Sequence, residues 1–462
     1  TLNNVTLSGG IVQGNNMTFS SAGSSAEVTN VIGSGVLDAS VTETLIKTGI
    51  ENVTQIDVSE ISLGGSGDDW INDYTSTKGG GWIFNNAHVN KSGNISLKGV
   101  SFVNSNITAG DNLTLHNDNT SLTVSNSNLT ATSGDISLFG HNPSTGQVTG
   151  VNLANVQLNA SRGDITVNGT TPGIWSGVIF NNVTMLADRD AGNINVYAES
   201  MGGGDTYEER GSLRFIGTDS FSAANMNLTG RNKRTGTSNA VGLVFDINSQ
   251  VSFEGNTILN AIGARGMGVW GGSVLNFSNG SSVINAEAEA EADAGSSYYG
   301  QGAITFTSLY DTPVLSLHVN NGNLNITASS EKLKNVEAFN MAGLGTNSGN
   351  GIKFYGNGDV SITGKSNGST GLSSGLFDNE QLSGHLTING ESETGTGIMI
   401  QKTATSNLVN ATINGVSQSG TGIRISAENG STNLKGNTLN GTSGTGTGLS
   451  ISGNNVTITN GT

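Results

Sequence analysis

The sequence predicts an all-β solenoid, and three observations predict it. Gly fills 69 of 462 positions, about twice the ordinary share of ~7%, while Pro occurs 3 times and Asp, Glu, Lys and Arg together make only 12%. Helical bundles do not have that composition. Short stretches also alternate apolar and polar residues, the pattern of strands with one buried face. Finally, one phrase recurs along the chain. It appears as Gly93-Asn94-Ile95-Ser96-Leu97, Gly134-Asp135-Ile136-Ser137-Leu138, Gly163-Asp164-Ile165-Thr166-Val167 and Gly192-Asn193-Ile194-Asn195-Val196. It returns as Gly322-Asn323-Leu324-Asn325-Ile326, Gly358-Asp359-Val360-Ser361-Ile362 and Gly384-His385-Leu386-Thr387-Ile388. A turn signal, in most copies Gly-Asp or Gly-Asn, opens an apolar, polar, apolar run each time.

The segment before the phrase repeats as well: SFVNSNITAG from 101, LTVSNSNLTATSG from 122, VNLANVQLNASRG from 151 and GVIFNNVTMLADRDAG from 177. Two strands and two turns make one unit of roughly 20 to 30 residues, a period that means a solenoid. At ~4.8 Å per coil and about 22 residues per coil, the chain makes a rod on the order of 100 Å long. A second rhythm marks the C-terminal part, with Gly395-Thr396-Gly397-Ile398, Gly420-Thr421-Gly422-Ile423 and Gly446-Thr447-Gly448-Leu449. We divide the continuous solenoid into irregular coils over 1–80, the clearest repeats over 81–200, coils with insertions over 201–320 and regular repeats over 321–462. Gly and Asn are expected at corners that need φ > 0. Val, Ile, Leu and Phe point inward, and Ser, Thr and Asn form outward ladders.

Three stretches break the rhythm and are expected to leave the rod as loops: 201–212, 231–239 and 286–301. The last reads alternatively as a strand with Glu287, Glu289, Glu291 and Asp293 on one face and Ala on the other. The net charge of −16 comes from 35 acidic and 19 basic residues without Lys or Arg clusters. That argues against nucleic acid as a partner. No apolar stretch approaches the ~18 residues of a transmembrane segment. The opening TLNNVTLSGG lacks the regions of a signal peptide and reads as a cut or processed end. Cys is absent, so disulfides and thiolate metal sites contribute nothing.

The repeat phrase, together with N-S-N-[IL]-T-A, resembles the repeats of filamentous haemagglutinin-like exoproteins, in particular the glycosylated high-molecular-weight adhesins of the two-partner secretion route in Gram-negative bacteria. The likeness is clearest over 81–200 and extends over 320–462. It implies a right-handed parallel β-helix, export through an outer-membrane secretion barrel, and display at the cell surface or release for attachment to a host-cell receptor or glycan. It also implies a cytoplasmic glycosyltransferase acting on Asn side chains before the coils close. Two other readings are a structural stalk in a contact-dependent growth inhibition exoprotein and a β-helix polysaccharide lyase or hydrolase. The expected role is not enzymatic, and no cofactor is expected.

Several residues are candidates for chemistry. N-x-S/T sequons number on the order of twenty; those singled out for glycosylation are Asn94, Asn106, Asn112, Asn128, Asn182, Asn227, Asn325, Asn410 and Asn455. A chain this rich in Asn, Ser and Thr also makes many by chance. Arg162-Gly163-Asp164 spells a tripeptide recognised by integrins, although Gly163 and Asp164 are equally the ordinary repeat turn. Tyr298 and Tyr299 are expected as exposed receptor contacts. Trp82, Trp175 and Trp270 lie in apolar or Gly-rich stretches, and Trp82 and Trp175 are expected in the core. The run from Gly64 to Ile71 fits one copy of a calcium-binding nonapeptide, where tandem copies are needed. For catalysis, the carboxylates near an Arg are Asp188 and Asp190 around Arg189, and Asp205, Glu208 and Glu209 beside Arg210. His88, His116, His141, His318 and His385 show no ligand spacing.

Overall fold

The structure is a computed structural model. It describes residues 93–462 apart from 202–209, 235–239, 290–301, 308–313, 334–335, 342–350, 402–405, 428–430 and 454. Before residue 93 it describes the backbone of short strands between 6 and 91. The protein is all-β and forms a parallel β-helix, and the strand pairings are parallel among the described residues. Two compact units divide the chain: Thr1–Ala198 with Ser220–Met226, and Glu199–Asp219 with Asn227–Thr462.

In the first unit the repeat phrase becomes one column of strands. Ile95–Lys98, Leu113–Asn117, Ile136–His141 and Ile165–Thr170 stack in register, with Leu97 beside Leu115, Leu115 beside Leu138 and Leu138 beside Val167. These four side chains are at most 1% exposed. Burying each adds about 1.5–3 kcal/mol of hydrophobic stabilisation relative to exposure. The segment before the phrase forms the ten-residue strands Leu122–Ala131, Val151–Ala160 and Val178–Ala187. Each turns a corner at its Asn: Asn126, Asn155 and Asn182 have φ between 47° and 56°.

The corner Asn side chains bond to one another. Asn126 Nδ2 donates to Asn104 Oδ1 (3.1 Å), Asn155 Nδ2 to Asn126 Oδ1 (2.9 Å) and Asn182 Nδ2 to Asn155 Oδ1 (3.0 Å). A second ladder explains the Asp or Asn of the repeat phrase. The backbone N–H of Asn112 donates to Asn94 Oδ1, that of Asp135 to Asn112 Oδ1, that of Asp164 to Asp135 Oδ1, and that of Asn193 to Asp164 Oδ1, at 2.7–3.0 Å. A short side chain with an acceptor oxygen is what this position needs, and Asp and Asn are the residues that supply one.

The second unit has an equivalent column of its own, Asn323–Ser330, Asp359–Ser366, Leu386–Ser392 and Thr412–Ser417, aligning Ile326, Ile362, Ile388 and Ile413. Phenylalanines stack between coils, Phe215 on Phe245 at 5.0 Å and Phe253 on Phe277 at 5.2 Å. Trp270 is 8% exposed in a small cluster with Val241 and Val244.

The glycines bear out one expectation in part. Asn at the corners does have φ > 0, as do Gly99, Gly217, Gly255, Gly272, Gly356, Gly436 and Gly453 among the described residues, but the glycines of the Gly-Thr-Gly rhythm do not. Gly364, Gly390, Gly415 and Gly441 each face a second glycine, Gly371, Gly397, Gly422 and Gly448, across the coil interior. A β-carbon on the first would overlap the carbonyl oxygen of the second. Gly140 with Gly150 and Gly169 with Gly177 repeat the arrangement in the first unit. These glycines serve close backbone approach, the other use of a missing side chain. Gly163 and Gly192 of the repeat phrase likewise crowd the carbonyl of the phrase glycine one coil back.

Of the three stretches expected to leave the rod, parts are strand. Arg210 opens Arg210–Ile216, Arg231 and Asn232 close Thr218–Asn232, and residues 286–288 close Ser281–Ala288 with Ala286 and Ala288 buried. The alternative strand reading therefore holds as far as Ala288. Residues 202–209, 235–239 and 290–301 lie outside the described residues.

Candidate functional site

The outward face of the repeat-phrase column in the first unit carries an unusual set of side chains. One position beyond the quoted phrase, successive coils present His116, Phe139 and Asn168 in register, and the backbone of Lys98 pairs with His116 one coil earlier. The 29-residue offset between Asp164 and Asn193 places Tyr197 beside Asn168 on the paired strand Asn193–Ser200. His116 and Phe139 contact ring to ring, centroids 5.5 Å apart and tilted by 34°. The His116 side chain is 38% exposed and Tyr197 is 36% exposed. Asp118 Oδ1 sits 2.5 Å from His116 Nε2 and fixes the imidazole.

Hydroxyl and amide groups flank the rings. Thr114, Ser137, Thr166 and Asn195 form the neighbouring outward row, and His141 Nδ1 lies 2.7 Å from Thr170 Oγ1 on the other side. Phe139 is half-buried and Tyr197 is exposed on this outward face, so part of each ring's surface meets solvent. The equivalent positions in the second unit are Thr327, Thr363 and Asn389. In this column the ring row belongs to the first unit; the second unit carries a stacked pair elsewhere, His318 on Tyr355 at 4.5 Å, on the paired strands Val314–Asn320 and Gly351–Gly356.

The phrase stops one residue short of Phe139 and Tyr197, and in the sequence His116 stands out only as a histidine without ligand spacing. The signal was one residue further on: aligning Asn112-Leu-Thr-Leu-His116, Asp135-Ile-Ser-Leu-Phe139 and Asn193-Ile-Asn-Val-Tyr197 puts the three rings in one place.

The sequons fall largely on outward positions. Asn106, Asn112, Asn128, Asn182, Asn227, Asn325, Asn410 and Asn455 are exposed, and Asn94 is half-buried. Their amides are not equivalent. Asn128 Nδ2 donates to Asn106 Oδ1 at 2.9 Å and Asn182 Nδ2 donates to Asn155, so a glycan on either nitrogen leaves it a single N–H with which to keep the ladder rung. The Asn94, Asn112 and Asn227 carbonyls accept ladder bonds. Asn325 makes no side-chain hydrogen bond among the described residues. Asn410 lines an open polar groove in the second unit with Asn379, Glu380, Ser383 and His385.

Arg162 is exposed, while Gly163 and Asp164 are half-buried in the turn before Ile165–Thr170. Asp164 Oδ1 accepts both the backbone N–H of Asn193 (2.7 Å) and its Nδ2 (3.1 Å). Tyr298, Tyr299, Glu291, Asp293, Asp205, Glu208, Glu209 and the run 64–71 lie outside the described residues, as do the side chains of Trp82, His88 and Arg210. Trp175 is half-buried rather than fully enclosed.

Asp188 Oδ1 accepts the N–H groups of Asp190 and Ala191 at 2.8 and 3.2 Å, closing the turn ahead of Gly192. Glu287 and Glu289 both pair with Lys332, and Arg231 lies 3.7 Å from Glu289. These carboxylates are engaged in local structure. Among the described residues no group of three or more His, Asp or Glu side chains gathers in metal-ligating geometry, and no helix is long and apolar enough to cross a membrane. The chain matches no family model, no curated protein and no solved structure, so the ring row and the ladders stand as the features from which a function is argued.

Proposed function

We propose that the chain is a segment of a secreted or surface-displayed bacterial adhesin, a β-helical scaffold that presents attachment surfaces to host cells or glycans. The observation that carries this reading is the row of His116, Phe139 and Tyr197 on an outward face, flanked by Thr114, Ser137, Thr166 and Asn195. Stacked coils hold such a row rigidly, because each outward side chain is fixed by a strand whose inner face is buried. Export by two-partner secretion through an outer-membrane barrel, and modification of sequons by a glycosyltransferase, belong to the same proposal and rest on the sequence resemblance. Arg162 and Gly163-Asp164 are the second attachment candidate, and Tyr298 and Tyr299 the third.

The test is attachment of the purified, fluorescently labelled chain to cultured epithelial cells together with a glycan array. Saturable binding supports the reading. Absence of both cell attachment and array signal rejects it and favours the stalk reading, for which the uniform Thr327, Thr363 and Asn389 row of the second unit is the supporting observation. The lyase or hydrolase reading is the weakest, because Asp188 closes a turn.

A further inference from the structure

We propose that the outward row His116, Phe139, Asn168 and Tyr197 is the binding surface for one extended, uncharged polysaccharide chain lying across the strands, along the direction in which the coils stack. This rests on the attachment reading above and names its ligand class. Parallel strands repeat at ~4.8 Å, close to the length of one pyranose residue in an extended chain of equatorially linked sugars. Each coil then meets one sugar. Phe139 and Tyr197, with Asn168 between them, are spaced by two coils, ~9.6 Å, and His116 lies one coil before Phe139, so three of four successive sugars meet a ring.

The chemistry of the row fits that ligand. The C–H bonds on one face of a pyranose pack on aromatic rings, which bring large apolar area at low conformational cost. The hydroxyls at the sugar edges meet the flanking Thr114, Ser137, Thr166 and Asn195, which supply both donors and acceptors. Charge selects against acidic glycans within the row: the outward positions of Leu113–Asn117, Ile136–His141 and Ile165–Thr170 hold no Lys, Arg, Asp or Glu, the charge held against the row is the Asp118 carboxylate at His116, and Lys98 lies one coil before His116, outside the proposed row. A polyanion therefore finds no cationic partner on these strands.

Affinity electrophoresis of the full chain through gels containing hydroxyethylcellulose, mixed-linkage β-glucan or heparin tests this. Wild-type protein is expected to be retarded by at least one neutral glucan and not by heparin. Phe139→Ala and Tyr197→Ala should each lower the affinity about tenfold, while Thr327→Ala in the second unit leaves it unchanged. Phe139→Ala also loses the ring contact with His116, so melting temperatures of both variants are measured beside the affinities to confirm that each is folded. A readout independent of the variants is titration of wild type with cello-oligosaccharides of increasing length, where affinity should climb until the chain spans the row. Migration unaffected by every neutral glucan, equal migration of wild type and both variants, or affinity independent of oligosaccharide length would each overturn the proposal. Cell attachment by a chain that ignores neutral glucans removes this surface and leaves the adhesin reading standing; glucan binding without cell attachment does the opposite.

Discussion

Gly390 stands so close to Gly397 across the coil interior that a β-carbon on the first would overlap the carbonyl oxygen of the second. The contact is backbone on backbone, so no rotamer change relieves it. Gly390→Ala is therefore expected to destabilise the protein by about 1–3 kcal/mol, the usual cost of overpacking a filled interior. Gly146→Ala, at a position with open space around it, should be close to neutral. Urea unfolding of both variants decides the matter, and equal midpoints would show that the interior yields.

The glycine contact also shows how much of the molecule was legible in the sequence. Strand alternation and the recurring Gly-[Asp or Asn] phrase were sufficient for an all-β stacked coil, and the ladder from Asn94 to Asn193 gives the second residue of that phrase its reason. The role of the Gly-Thr-Gly glycines was not legible. A glycine needed for φ > 0 and one needed for close approach are the same letter, and only the packing of Gly397 against Gly390 tells them apart. His116, Phe139 and Tyr197 were missed for a different reason: they are ordinary residues one by one, and become a row only when the register brings the coils together.

Asn155 gives a second prediction. Its φ of 54° places it in the left-handed region, and its amide both donates to Asn126 and accepts from Asn182. Asn155→Ala loses both rungs and adds the steric cost of a β-carbon in that region, for a total of about 2 kcal/mol. Asn155→Gly removes the steric part and should recover part of the loss. Guanidinium melts of the pair separate the two contributions; identical losses would mean that the backbone angle contributes nothing.

Glu337 supplies a pH dependence. It pairs in register with Gly302, its Oε2 is buried without a hydrogen-bond partner, and burial pushes its pKa up to about 7 from 4.5. A carboxyl whose pKa is raised by folding favours the protonated folded state. Its contribution is intact below about pH 4.5 and is lost as pH climbs through 7, amounting to about 3 kcal/mol by pH 8. Glu337→Gln should remove that slope and be the more stable protein at pH 8. Unfolding free energies of wild type and variant at pH 5, 6, 7 and 8 measure the difference, and parallel curves would mean that the buried oxygen finds solvent.

Asp164 distinguishes a structural turn from a receptor contact. Its Oδ1 takes two hydrogen bonds from Asn193, and its own backbone N–H donates to Asp135, so it is one rung of the ladder that carries the repeat phrase from coil to coil. Arg162, two residues earlier, is exposed and stands outside that ladder. Removing the carboxylate should cost stability: Asp164→Ala loses about 1–2 kcal/mol, while Asp164→Asn, which keeps the acceptor oxygen, retains most of it. A receptor that coordinates the carboxylate would instead treat Asn and Ala alike, because both abolish the charge. Measuring chemical unfolding and integrin-dependent cell attachment on Asp164→Ala, Asp164→Asn and Arg162→Ala therefore resolves the two roles. The ladder role predicts a stability loss in the first variant alone and attachment unchanged in the other two; loss of attachment in Asp164→Asn and Arg162→Ala at wild-type stability would assign the turn to receptor binding.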